Sequence, residues 1–257
     1  MQVKNRIVKR CVKGIVKCME WVVEQIYPPC CPFCDTVLKK QDRANRICKK
    51  CQWKLVYIAE NHCMKCGKPL TDDTEEYCYD CSRHRHFYTQ ARALLSYQGP
   101  AREALYRFKC SNRREYAVFF GSEMCRVLGR WIEHCGADYL VPIPMHDRKQ
   151  RERGYNQAEV LARVISQQMG IPLADKVLIK TAETLQQKEL SAEERRKNLL
   201  SVFQISEQRV AGTALSGKTV LLVDDIYTTG ATVDAAAEVL LKAGVMHVYV
   251  LTAAIGG

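Results

Sequence analysis

Residues 220–232 read V-L-L-V-D-D-I-Y-T-T-G-A-T, and this run leaves the backbone little choice. Four consecutive apolar residues, Val220 to Val223, predict a strand buried on both faces. Asp224 and Asp225 stand at its carboxyl end, and the turn Thr228-Thr-Gly-Ala-Thr232 opens a helix predicted over Ala231 to Ala243 and closed by Gly244. A helix start offers unpaired backbone N–H groups and a partial positive charge, which together suit a phosphate. Hydroxyls from Thr228, Thr229 and Thr232 can add donors, and Gly230 lets the backbone approach closely. Asp224 and Asp225 are placed to accept hydrogen bonds from sugar hydroxyls. Phosphate donors beside diol acceptors describe a site for a ribose 5-phosphate.

Strand, acid pair and Thr-rich turn together resemble the signature of type I phosphoribosyltransferases, which bind phosphoribosyl pyrophosphate (PRPP) with Mg2+. Tyr227 departs from the aliphatic residue usual in that pattern. The motif speaks for binding and leaves catalysis open.

From about residue 88 onward, short apolar runs alternate with amphipathic stretches. Arg92 to Tyr97 reads as a strand, Gly99-Pro100 as a turn, and Ala101–Phe108 and Glu115–Cys135 as helices. Asp138 to Pro144 is a strand ended by prolines, Asn156–Met169 a helix, and Lys176–Lys180 and Val245–Ala253 are further strands. Such alternation predicts an α/β fold: a mainly parallel sheet with helices on both faces. Ligands of these sheets bind beyond the carboxyl ends of the strands, where the acid pair falls.

A second strand end carries positive charge. Val141-Pro-Ile-Pro144 leads to His146 and then Arg148, Lys149, Arg151 and Arg153, after which Gly154-Tyr-Asn-Gln157 opens a helix. Four cations in six residues could neutralise a pyrophosphate; alone they would read as a solvated charge run. Lys109 could reach the same region, or stand as an exposed helix lysine. Between Thr184 and Asn198 a charged segment with a capping-box pattern at Ser191 and Glu194 could cover the site as a hood, or bind a nucleic-acid phosphate.

The chain holds 14 cysteines, eight of them in four C-x-x-C pairs: Cys31/Cys34, Cys48/Cys51, Cys63/Cys66 and Cys78/Cys81. Thirteen residues separate Cys34 from Cys48 and eleven separate Cys66 from Cys78, spacings that fit four-cysteine zinc ribbons. Sequential pairing gives one Zn2+ site from the first four cysteines and one from the last four. An interleaved pairing is also open, because Cys51 and Cys63 are again eleven residues apart. Four sulfurs leave no open position, so such zinc would be structural. His62, His84 and His86 are not needed as ligands, and the other cysteines read as small apolar fillers. No secretory signal or membrane-length apolar stretch is evident, which sets the expectation of a reducing cytoplasm.

Residues 3–26 space apolar side chains helically, with Lys9, Lys13 and Lys17 opposite them. This predicts an amphipathic leader helix that packs on its own protein or, as a basic helix, touches DNA or a membrane surface. The expected organisation is therefore a leader at 1–29, a double zinc ribbon at 30–83 and a phosphoribosyltransferase-like domain at 88–257. With a formal net charge of +11, polyanionic partners such as nucleic acid or phosphorylated metabolites are favoured. In Arg83-His-Arg-His-Phe-Tyr88, cations alternate with aromatics that could stack bases, or whose Phe87 and Tyr88 could pack inward.

Zinc ribbon, V-P-I-P, R-E-R-G-Y-N-Q, L-S-x-x-x-R-x-x-N and the acid-pair signature follow one another in an order that resembles the ComF family, over roughly residues 28–254. The family consists of phosphoribosyltransferase-like proteins associated with DNA uptake in competent bacteria. The resemblance implies PRPP binding by Asp224, Asp225 and Thr228, Thr229, Gly230, Ala231 and Thr232. It places pyrophosphate on Arg148, Lys149, Arg151 and Arg153, and makes the eight paired cysteines zinc ligands. Single-stranded DNA and other DNA-uptake proteins are the implied partners. Two departures are visible: Thr184-Leu-Gln-Gln187 replaces the usual T-x-P-Q of the hood, and Cys110 follows Lys109 where an aromatic is common. An active transferase, a DNA-handling protein on the same fold, and a PRPP sensor without turnover all remain compatible with these residues.

Overall fold

The computed structural model of the chain describes residues 27–58, 61–181, 202–206 and 215–256. The leader helix expected over 3–26 and the hood segment from Thr184 to Asn198 lie outside the described residues. Two compact units divide between Trp53 and Lys54.

In the first unit a tight turn carries Cys31 and Cys34. The Asp35 N–H donates to the Cys31 carbonyl at 2.8 Å, and Cys31 N–H donates to Thr36 at 2.9 Å. A 3-10 turn at Lys40–Asp42 and the short helix α1 (Lys49–Gln52) follow. Among the described residues of this unit, Cys31, Phe33, Leu38, Ile47 and Cys51 are buried.

The second unit opens with a matching turn, where Gly67 N–H donates to Cys63 O at 2.9 Å, followed by helix α2 (Tyr79–Arg83). Gly67 sits at φ +77, and a Cβ there would lie 2.8 Å from the carbonyl oxygen of Ala91, so the backbone packing excludes a side chain. The main sheet comprises β1 (Gln90–Ser96), β2 (Tyr139–Pro142), β5 (Thr219–Tyr227) and β6 (His247–Ile255), in the order β1-β6-β5-β2 and parallel throughout. Between β2 and β5 in sequence, β3 (Leu178–Lys180) and β4 (Phe203–Ile205) pair antiparallel as a separate two-stranded sheet. The strand expected at Lys176–Lys180 therefore leaves the main sheet.

Helices α3 (Gly99–Cys110), α4 (Tyr116–His134), α5 (Asp147–Arg153), α6 (Gln157–Met169) and α7 (Ala231–Lys242) complete the unit. Val220, Leu222, Val248 and Val250 join Val233, Ala236, Ala237 and Leu240 of α7 in one buried cluster. The alternate residues Leu221, Val223 and Leu251 point to the other face, where α6 packs on β2 and β5 and α4 on β1 and β6. Helices cover both faces, as the alternation predicts. Val220 to Val223 are all 0% exposed, and each fully buried aliphatic side chain is worth about 1.5–3 kcal/mol.

One local expectation is corrected, and two elements are extended. Gly99-Pro100 is the first turn of α3 rather than a separate turn, because proline lacks an N–H that a helix start would leave unpaired in any case. The charged run from Asp147 to Arg153 is helical: His146 Nδ1 accepts the Arg148 N–H at 3.3 Å as a cap, and Gly154 N–H closes on Gln150 O at 2.8 Å. Strand β5 continues past the acids that the sequence places at its carboxyl end. It runs on to Tyr227 because β6 is long enough to pair with Asp224, Ile226 and Tyr227. Among the described residues no helix is long and apolar enough to cross a membrane.

Candidate functional site

At the carboxyl end of β5 the Asp225 backbone N–H donates to Asp224 Oδ1 at 2.8 Å, which fixes the first carboxylate beside its own strand. Asp225 is buried, with its side chain 8% exposed, and its Oδ2 lies 3.2 Å from Lys109 Nζ at the end of α3. Burial pushes the Asp224 carboxyl well above the usual carboxylate range, and the charge of Asp225 adds to the rise. The Asp225 N–H and the Lys109 ammonium pull the other way. Thr228, Thr229 and Ala231 are exposed at the turn, and Ala231 N–H reaches Thr229 Oγ1 at 3.5 Å. Gly230 occupies the N-cap position of α7 at φ +78 and carries no capping side chain.

Tyr227, the departure noted in the signature, is buried beneath this turn. Its hydroxyl shares a 2.8 Å hydrogen bond with that of Tyr88, and the two rings meet edge to face with centroids 6.4 Å apart. A Cβ on Gly230 would overlap the Tyr227 hydroxyl and come 2.5 Å from its Cζ. The tyrosine thus forms the floor of the turn.

Asp224, Asp225, Thr228 and Thr232 line one cavity of about 370 Å³ together with Lys149 and Arg153. Lys149 and Arg153 are four residues apart on α5 and share a face. The other two predicted cations go elsewhere. Arg148 Nε bonds Glu152 Oε1 at 3.1 Å on the exposed side, and Arg151 lines a neighbouring cavity of about 880 Å³. Sequence reasoning missed Tyr97, Asn156, Gln157 and Lys180, which also line the smaller cavity. Asn156 Nδ2 donates to Ile143 O at 2.9 Å while its Oδ1 accepts the Ala158 N–H at 3.1 Å, so it ties the strand end to the start of α6. Its place directly before a helical pattern is a cap signal that could have marked it.

The paired cysteines gather sequentially. Cys31, Cys34, Cys48 and Cys51 form one group and Cys63, Cys66, Cys78 and Cys81 the other, each with all sulfurs within 4.8 Å of one another. Tetrahedral zinc with bonds of about 2.3 Å would set sulfurs roughly 3.8 Å apart. Cys34 and Cys48 are 3.8 Å apart and Cys66 and Cys78 are 3.7 Å apart, so both groups fit structural zinc. The interleaved pairing is not adopted, and no histidine joins either group. Among the remaining described cysteines, Cys135 is buried as a filler should be, whereas Cys110 is exposed.

In the segment from Arg83 to Tyr88, Tyr88 is 0% exposed and packs inward, so it cannot stack a base. Exposed aromatic surface lies instead at Tyr79, whose ring carries the Arg83 guanidinium 4.0 Å from its centroid.

Two family descriptions match the chain: a double zinc ribbon domain over residues 22–82 and a phosphoribosyl transferase domain over residues 156–255. Competence protein F of Haemophilus influenzae is 34% identical over 43% of this chain, and the match spans 47% of that relative, about half its length. Competence protein ComFC of Bacillus subtilis is 29% identical, covering 77% of this chain and 79% of the relative. DNA utilization protein YhgH of Escherichia coli K12 is 26% identical, covering 79% and 88%. Among solved structures, a purine phosphoribosyltransferase from Pyrococcus horikoshii aligns at 16% identity with a TM-score of 0.33, over 56% of this chain and 82% of its own. Parallel sheet, acid pair, helix-start turn and cysteine quartets define a protein of phosphoribosyltransferase type with an N-terminal zinc-ribbon module. The chain belongs to the ComF family.

Proposed function

We propose that the chain binds PRPP with Mg2+ at the β5–α7 turn and acts in DNA uptake and natural transformation, handling single-stranded DNA in the cytoplasm. One observation carries the PRPP half: a single cavity unites the acid pair, two threonines of the helix-start turn and two cations of α5. The 5-phosphate would take the turn and the start of α7, with hydroxyls from Thr228, Thr229 and Thr232 and the backbone of Gly230 and Ala231. Asp224 and Asp225 would accept from the ribose hydroxyls, and Lys149 and Arg153 would face the pyrophosphate. Mg2+ would enter with PRPP and supply charge neutralisation for the pyrophosphate. The DNA half draws on the names of the competence and DNA-utilization relatives, and on the cation–aromatic pair of Arg83 and Tyr79. In this reading the zinc ribbons at 30–83 are structural, and the domain at 88–257 carries the ligand.

A second reading, an active phosphoribosyltransferase of nucleotide metabolism, is favoured by the 880 Å³ cavity, which shares Pro144, Met145, Asn156 and Lys180 with the smaller one. An acceptor there would adjoin the ribose. Phosphorus NMR of PRPP and Mg2+ with the protein separates the readings. Broadened PRPP resonances with no pyrophosphate release, on adding nucleobases or single-stranded DNA, support the first. Pyrophosphate formation with one acceptor supports the second, and unperturbed resonances contradict both.

A further inference from the structure

Two adjacent carboxylates need a counter-charge if both are to accept hydrogen bonds from a sugar, and the signature itself contains none. The structure supplies one from α3, more than a hundred residues earlier in sequence, as the 3.2 Å contact between Lys109 Nζ and Asp225 Oδ2. Nothing about the local sequence of α3 would send that lysine inward, since it lies in the last turn of a helix whose final residue, Cys110, is exposed. The Gly154–Gln157 turn fixes the backbone that carries it. The Tyr155 hydroxyl donates to the Phe108 carbonyl, and Gln157 Nε2 reaches the Lys109 carbonyl at 3.5 Å. Beyond α3, Arg114 Nη2 donates to Gly154 O at 2.8 Å, and its guanidinium stands 4.9 Å from the Tyr155 ring centroid. Tyr155 is 4% exposed and Gln157 1%, so these two side chains of the latch are buried.

We propose that Lys109 is a positioning residue of the phosphoribosyl site: its ammonium balances Asp225 so that both acids can accept ribose hydroxyls, and the Gly154–Gln157 turn holds it in place. The G-Y-N-Q residues then do a different job from the α5 cations that precede them. Lys149 and Arg153 face the anion, while Tyr155 and Gln157 hold a cation against the acids. This assignment rests on the phosphoribosyl reading of the cavity for its functional meaning, though the ion pair exists without it.

Among the described residues, the charged and titratable groups around Asp225 are Asp224 on β5, Lys109 on α3, Lys149 and Arg153 on α5, Lys180 on β3, and Tyr97 after β1, with Tyr155 behind the latch. Lys149, Arg153 and Lys180 remain in every variant that changes Lys109, so the effect of Lys109 is read as a difference. The experiment uses the full zinc-loaded chain with carboxyl-labelled aspartate, following Asp224 by carbon NMR against pH. PRPP with Mg2+ is titrated into the same samples. In Lys109→Met the titration of Asp224 moves upward, because the ammonium that pulls it down is gone. PRPP affinity at pH 7 falls about ten-fold and recovers in part as pH rises. Lys109→Arg restores both, and Tyr155→Phe gives a smaller change of the same sign. A Lys109→Met protein whose carboxyl titration matches the wild type overturns the proposal. If the titration shifts but the wild type binds no PRPP, the role of Lys109 beside the acids stands and the phosphoribosyl reading falls.

Discussion

Replacing Gly230 by alanine tests whether the turn is built on Tyr227. Two costs add. At φ +78 any L side chain occupies the left-handed region, worth roughly 1–2 kcal/mol. The new Cβ would also stand 2.5 Å from Tyr227 Cζ, and relieving such overpacking costs about 1–3 kcal/mol. Tyr227 cannot simply swing aside, because it is buried and its hydroxyl is bonded to Tyr88 at 2.8 Å. A total of about 3 kcal/mol corresponds to a Tm lower by about 6–12 °C for a unit of this size. The assay is thermal denaturation of the zinc-loaded protein followed by circular dichroism, for Gly230→Ala, Tyr227→Leu and the double variant. In the Tyr227→Leu background Gly230→Ala should cost only the left-handed strain, giving a coupling of about 1–3 kcal/mol. Equal costs in the two backgrounds would refute the argument that the ring forms the floor of the turn.

Three further outcomes follow from the same geometry. Cys66→Ser should lower the zinc content by one ion per chain, measured by elemental analysis, because the quartets are separate; loss of both ions would mean that the sites fold together. Asp224→Asn should raise thermal stability, and by more at alkaline than at acid pH. The native carboxyl titrates above its unfolded value of about 3.9, so the folded state holds the extra proton between the two values. Stability is therefore lost as pH rises through that window, and the amide removes the loss. A Tm gain independent of pH would contradict it. Finally, single-stranded DNA affinity measured by fluorescence anisotropy should fall steeply with salt and drop about ten-fold in Tyr79→Ala; an unchanged affinity would remove Tyr79 from the DNA surface.

The parts that could be read from sequence are those whose physics is local. An apolar run, two acids and a Thr-rich helix start lie within thirteen residues, and each C-x-x-C knuckle is a turn of four residues whose partner lies at ribbon spacing. The α/β alternation likewise follows from local periodicity. What stayed hidden depends on contacts distant in sequence. Tyr227 looks like a slight irregularity until Tyr88 is found against it, and the sequence leaves Lys109 open between the site and an exposed helix face until its contact with Asp225 is seen. The run from Asp147 to Arg153 has no apolar stripe to betray a helix, so its split into a cavity face bearing Lys149 and Arg153 and an exposed side bearing Arg148 emerged only from its caps and its place after β2. Spacing alone could not choose between sequential and interleaved cysteine pairing, because three of the intervals are of similar length. The fold of each short ribbon decides it.

The central claim is that the acid pair and the helix-start turn form a working PRPP site. Calorimetric titration of PRPP with Mg2+ into zinc-loaded protein at moderate salt tests it most directly, run beside Asp225→Ala with its zinc content checked. The account predicts saturable binding by the wild type and none by Asp225→Ala, with both variants holding the same zinc. Absence of binding by the wild type, or undiminished binding by Asp225→Ala, would contradict it.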